Sequence, residues 1–211
     1  MNQSFEELLA LSVREHGHLC PGQVLGVRMG MLGLALLGYE APLNNRDIKK
    51  VLVFVEIDKC AADALATVTG VKLGRRSLKF KDYGLMAATF LNLPDGRAFR
   101  VAAREDSRRK AAEFLPGISN DHEREVQAYR TMSAADLFEV SEVSVDVAPE
   151  DMPGWSAEKQ TCAACGTVIR HRRGIPVEGR TLCPVCAGRA YFKPIAPLDG
   201  FDRFDPVARA R

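Results

Sequence analysis

The sequence predicts an α+β core with a mostly antiparallel sheet and helices on one side, followed by a small C-terminal zinc ribbon or treble clef. Three observations carry this. Two apolar runs, Leu85 to Leu93 and Arg97 to Ala103, flank Pro94-Asp95-Gly96, a strong hairpin signal. The hairpins are not separated by the regular crossover helices of a doubly wound fold. Finally, Cys162-x2-Cys165 and Cys183-x2-Cys186 stand beyond a Pro/Gly-containing stretch as a separate two-knuckle unit.

At 211 residues the chain has room for one domain with a substantial core plus a small appendage. Its 46% hydrophobic and 27% charged residues match a soluble globular protein. A net charge of +2 supplies no global attraction to nucleic acid or acidic membranes. The N-terminus, Met1 to Glu7, has neither a basic region nor an apolar signal core, which leads us to expect a cytoplasmic protein. Val24 to Leu37, the most apolar stretch, carries Arg28 and falls short of the roughly 20 apolar residues of a membrane span.

Taken in order, Ser4 with Glu7 is a capping-box start for a helix reaching about Arg14. A His-rich turn follows, and a second helix spans about Pro21 to Leu37, with Gly38 as its stop. Gly22, Gly26 and Gly30, four residues apart, leave a bare stripe along it for close packing of a helix or a ligand. The stripe is one ground for expecting a homodimer. Val51 to Ile57 reads as a buried strand, and Cys60 to Thr69 as a short helix closed by Gly70. Ser77 to Tyr83 alternates like a half-exposed strand. After the hairpin come helices near Glu105 to Phe114, Asp121 to Met132 and Ala134 to Leu137, then a last strand, Phe138 to Val147. The expected division is a core over 1–148, a linker over 149–156, a finger over 157–193 and a tail over 194–211.

The chemistry concentrates in His16-Gly17-His18-Leu19-Cys20-Pro21-Gly22. In extended backbone His16, His18 and Cys20 share one face. Cys20 and Cys60 each stand at a helix N-terminus, where the helix dipole lowers a thiol's pKa and favours the metal-binding thiolate. His18, Cys20 and Cys60 are therefore the expected core metal ligands, with a buried thiol pair and a hydrogen-bonded histidine as the alternative. His16 is either a further ligand or an outer or surface group. Asp58 and Asp63 are candidates to orient a ligand or take a proton, and carboxylates at a helix start also serve as caps. Cys20, Cys60, Asp58 and Asp63 are the catalytic candidates.

Cys162, Cys165, Cys183 and Cys186 have the spacing of a structural zinc site, four soft thiolates for a tetrahedral ion. A unit of about 35 residues buries little core, so the metal supplies much of its stability. Cys186 to Tyr191 is expected to form a terminal helix. The basic run Arg170 to Arg173 is a conceivable nucleic-acid surface, yet no aromatic platform is interleaved with it. Offsetting the thiolates' negative charge is its simpler use.

His16-Gly17-His18-x-Cys20-Pro21-Gly22, Gly26-x-Arg28-Met29-Gly30, Cys60-x-x-Asp63-Ala64 with Thr69-Gly70, and Asp82-Tyr83-Gly84 followed by Thr89-Phe90 together resemble the FmdE family of formylmethanofuran dehydrogenase proteins, over roughly residues 10 to 105. The resemblance implies an α+β core with a treble-clef finger, a metal-associated cleft, a dimer, and association with molybdenum or tungsten enzyme subunits. Where many relatives read Thr-Gly-Cys-Thr and Gly-Lys-Gly-Asn-Leu, this chain has Thr69-Gly70-Val71-Lys72 and Gly74-Arg75-Arg76-Ser77-Leu78. A redox cycle through a thiol at position 71 is thereby excluded.

The expected function is a metal-binding accessory subunit or metal-site protein of a formylmethanofuran-dehydrogenase-like C1 redox system, with zinc in the finger and zinc or iron in the core. The alternative is a zinc-ribbon adaptor or regulator with a metal-sensing core site. An enzymatic role needs an open ligand position beside the core donors; a sensor or structural site needs a closed fourth ligand.

Overall fold

The computed structural model describes residues 3–155 and 158–199. These fall into two compact units, one ending at Trp155 and the other following it. Residues 156–157 at the expected join and 200–211 of the expected tail lie outside the described residues.

In the first unit, α1 (Phe5–His16) starts on the capping box: the Glu7 N–H donates to Ser4 Oγ at 3.3 Å, and the Ser4 N–H donates to Glu7 Oε2 at 2.7 Å. The helix runs two residues beyond the expected Arg14, because Gly17, at φ 99°, closes it in a left-handed turn with its N–H on Val13 O at 2.8 Å. α2 (Pro21–Leu36) follows with Cys20 as N-cap and Pro21 in its first turn. Gly38, at φ 82°, turns the chain after it.

The glycine stripe of α2 is filled by α3 (Cys60–Thr69). A Cβ on Gly26 would come within 2.6 Å of Ala64 Cβ and 2.8 Å of Ala61 Cα, and one on Gly30 within 3.0 Å of Val68 Cγ1. Close helix packing inside the chain thus accounts for the stripe, which gives no ground for a second copy. Arg28, half-buried on α2, donates to Tyr129 O at 2.8 Å and Met132 O at 2.5 Å, satisfying carbonyls at the end of α5 (Asp121–Thr131).

The sheet orders its strands β2-β1-β3-β4-β5: β1 (Val51–Val55), β2 (Leu78–Phe80), β3 (Ala87–Asn92), β4 (Ala98–Ala103) and β5 (Phe138–Val143). All neighbours are antiparallel except β1 and β2, which pair in parallel because α3 carries the chain back to the start of the sheet. Val51, Val53, Val55 and Phe90 face the helices and build the main core with Leu8, Val24, Leu65 and Tyr129. Leu52 and Phe54 face the other way, packing with Leu91, Ala98 and Val143 to Val147. On that face Glu56, just past β1, is buried and receives Arg100 Nε at 2.8 Å and its second guanidinium nitrogen at 2.7 Å. α4 (Ser107–Phe114) and the short α6 (Ala134–Leu137) complete the unit. Pro149–Asp151, expected as linker, turns against the core, with Asp151 O accepting from Lys79 Nζ at 2.5 Å.

The second unit holds two hairpins, β6 (Gln160–Thr161) with β7 (Val168–Ile169) and β8 (Ile175–Val177) with β9 (Arg180–Leu182). The expected helix from Cys186 to Tyr191 is a single turn instead. Gly188, at φ 76°, ends it, with the Arg189 N–H on Pro184 O at 2.8 Å. Two hairpins without a terminal helix among the described residues are ribbon-like.

Candidate metal centres

Two groups of thiols and imidazole converge in the described residues. In the second unit Cys162, Cys165, Cys183 and Cys186 offer sulfurs that all lie within 4.8 Å of one another. The turn after Cys162 is set by Gly166, whose N–H donates to Cys162 O at 2.9 Å, and the Cys186 N–H points at Cys183 Sγ at 3.4 Å. Backbone amides, first that of Cys183, hold the Cys162 thiol down to about 6. The neighbouring Cys165 and Cys183 push Cys186 up to about 12. Four sulfurs this close repel as anions unless a cation sits among them, and four soft donors fit zinc. All four cysteines expected in the finger are in the group.

The second group is His16, Cys20 and Cys60, whose donor atoms also lie within 4.8 Å of one another. It differs from expectation in its imidazole. Because α1 continues to His16 and turns at Gly17, the backbone is not extended across positions 16 to 18, and the two histidines do not share a face toward Cys20. His18 is exposed, its ring 4.7 Å from that of His16, while His16 occupies the place beside the thiols.

The surroundings of His16 orient it. Asp63, one turn into α3, places Oδ2 at 2.9 Å from His16 Nδ1. A carboxylate accepts, so Nδ1 carries a proton, and in a neutral ring the lone pair lies at Nε2. Nε2 is buried and has no hydrogen-bond partner. An orphaned imidazole nitrogen beside two sulfurs, backed by a carboxylate, fits the donor set of a metal site with its orienting partner.

Cys20 and Cys60 meet because α2 and α3 approach at Gly22, where a Cβ would stand 3.1 Å from Cys60 Cβ. Gln23 locks the approach. It is fully buried, donates from Nε2 to Cys60 O at 2.7 Å, and accepts from the Ser12 hydroxyl. Sequence reasoning missed Gln23, although a glutamine amid apolar neighbours was a usable signal; the His16–Asp63 pair, 47 positions apart, had none. Contrary to the expectation from helix dipoles alone, the Cys20 thiol is pushed up, first by burial and further by Cys60, against the amides of Gln23 and Gly22. Burial outweighs the dipole here.

Beside the group opens a cleft of about 520 Å³ with predominantly apolar walls, onto which His16, Cys60, Asp63 and the exposed Asp58 give. Asp58 is thus not drawn into the cluster, and Asp63 serves His16. Val71 is wholly buried in the core, where it packs and offers no donor atom.

The chain is 29% identical over 201 residues to a probable S-adenosyl-L-methionine-binding protein of Archaeoglobus fulgidus, covering 87% of this chain and 53% of that one. It therefore spans about half the length of that curated relative. Its fold is similar to the crystal structure of a tungsten formylmethanofuran dehydrogenase FmdE-like protein from Syntrophus aciditrophicus, with a TM-score of 0.62 and 21% identity, covering 90% of this chain and 96% of that one. A family model described as FmdE, molybdenum formylmethanofuran dehydrogenase operon, matches residues 15–142, the stretch that holds His16, Cys20, Cys60 and Asp63, and the chain belongs to that family.

Proposed function

We propose that the core binds one divalent ion, zinc or iron, through His16, Cys20 and Cys60, that the finger holds one structural zinc, and that the chain serves a molybdenum- or tungsten-dependent formylmethanofuran-dehydrogenase-like system as an accessory, metal-site subunit. The carrying observation is the buried, partnerless Nε2 of His16 beside two thiols. Its burial without a partner costs roughly 1–3 kcal/mol, which a bound cation offsets.

The described group has three protein donors, the number that leaves a position open, and two of them border a cleft. This favours a site that accepts a ligand over a sensor closed by a fourth residue. An ion there supplies Lewis-acid polarisation of a carbonyl or formyl oxygen. Asp63 would hold the His16 ring in place, and Asp58, exposed on the cleft wall, would be the carboxylate that accepts a proton. Family membership is the support for a cytoplasmic, dimeric assembly with enzyme subunits, and no described helix is long and apolar enough to cross a membrane.

Metal analysis of the full chain under reducing conditions tests this. Two ions per chain are expected, falling to one when Cys20→Ser and Cys60→Ser are combined. A chain that keeps both ions in that variant, or holds only one before substitution, contradicts the core assignment.

A further inference from the structure

The cleft beside His16 and Cys60 has a composition that selects its occupant. Its floor and outer wall are Val55, Ala66, Leu73, Leu78 and Phe80, contributed by β1, α3, β2 and the turn at Leu73–Arg75. Leu73 is 66% and Phe80 43% exposed, although each has the cleft to turn into. At about 520 Å³ the cleft falls within the 300–1,000 Å³ of small-molecule sites.

Its charged lining is one lysine, Lys59, against two aspartates, Asp58 and Asp63. Phosphate and polycarboxylate sites gather guanidinium groups or several lysines, and neither lines this cleft; the first turn of α3 borders it, but that turn carries Asp63 and follows Asp58. A polyanion would face both carboxylates and lose its hydration against apolar walls.

We propose that the cleft binds a small, largely apolar molecule without negative charge, whose apolar body lies on Leu73, Leu78 and Phe80 and whose single donor atom reaches the open position beside His16 and Cys60. The donor-atom half of this rests on the metal reading above; the apolar half does not. Leu73 and Phe80 act as specificity determinants, covering the body of the ligand from the apolar wall. Burying an aromatic ring on such a wall at roughly 25 cal/mol per Å² strengthens binding by about tenfold or more over the same donor group without the ring.

Two titrations of the full chain test the two halves separately. In the first, the neutral fluorophore N-phenyl-1-naphthylamine should bind saturably at one site per chain, with at least tenfold loss in both Leu73→Asp and Phe80→Asp and no displacement by excess inorganic phosphate. Absence of saturable binding, indifference to both substitutions, or displacement by phosphate overturns the cleft assignment. In the second, chain loaded with cobalt(II) is titrated with imidazole and 4-phenylimidazole. The phenyl compound should change the cobalt absorption at about a tenfold lower concentration and displace the fluorophore, and Leu73→Asp should abolish that advantage. Equal binding of the two imidazoles overturns the proposal. A core that takes up no cobalt while the fluorophore behaves as expected sinks the metal reading and leaves the apolar cleft standing.

Discussion

The role proposed for His16 turns on its Nδ1 contact with Asp63. With Nδ1 committed to Asp63 at 2.9 Å, its lone pair is fixed at Nε2, and no choice of tautomer remains. Removing the carboxylate's charge while keeping its shape, Asp63→Asn, should weaken core metal affinity about 10- to 100-fold without lowering the melting temperature, as equilibrium competition with a chelator can measure. His18→Ala should leave affinity unchanged. That distinction was not legible in the sequence, because it turns on one backbone angle: Gly17 at φ 99° extends α1 to His16, whereas an extended strand through the same residues favours His18. The places of Cys20 and Cys60 at helix starts were legible. Their environment was not, since burial of Cys20 depends on elements far away in sequence. At the other end of α1, Ser4→Ala should cost about 1 kcal/mol. The Glu7 carboxyl, held low first by the Ser4 amide, contributes stability that is present above its unfolded pKa and lost as pH falls through the lowered folded value.

Among elements, the α2–α3 contact decides whether a site exists. Each helix brings one cysteine at its N-terminus, so the axial distance between them sets the distance between sulfurs. Gly26→Ala places a methyl within 2.8 Å of Ala61 Cα and 2.9 Å of its carbonyl, backbone atoms that yield only if a helix moves. Denaturant unfolding should show about 1–3 kcal/mol of destabilisation, accompanied by weakened core metal binding. A loss of stability with metal affinity intact would mean that the two cysteines are not positioned by this contact. Glycines four apart made close packing legible, but the partner was a helix of the same chain. The hairpin around Pro94-Asp95-Gly96 and the presence of the core helices follow local signals and were likewise readable, although α1 runs two residues past its expected end. The parallel pairing of β2 was not, because a three-residue edge strand has too little pattern to fix its direction. The terminal helix of the finger fails for a comparable reason: Gly188 permits a left-handed turn that ends it after one turn.

For the whole molecule, two compact units carry separate sources of stability. The first has a two-faced sheet with a hydrophobic core and, against the sheet, an ion pair with a buried carboxylate. In that pair Glu56 is 6% exposed at its side chain and Arg100 34%. Arg100→Ala strands the carboxylate and should cost about 2–3 kcal/mol, less than the roughly 3–5 of a fully buried pair because Arg100 is partly solvated. Among its described residues the second unit buries Cys162, Ile169, Leu182 and Cys183 at its centre, so removing an ion held by its four cysteines should unfold it while the core's melting transition stays in place. Calorimetry with and without a chelator that empties only the finger resolves the two transitions. The core ion itself is tested most directly by X-ray absorption at the metal edge of the full chain carrying Cys162→Ser and Cys183→Ser, loaded with zinc or iron. The expected first shell has two sulfurs at about 2.3 Å and one imidazole nitrogen at about 2.0–2.1 Å, with the nitrogen lost in His16→Ala and kept in His18→Ala. A folded core that stays metal-free, or a nitrogen that survives His16→Ala, would contradict the assignment of His16, Cys20 and Cys60 as a metal site.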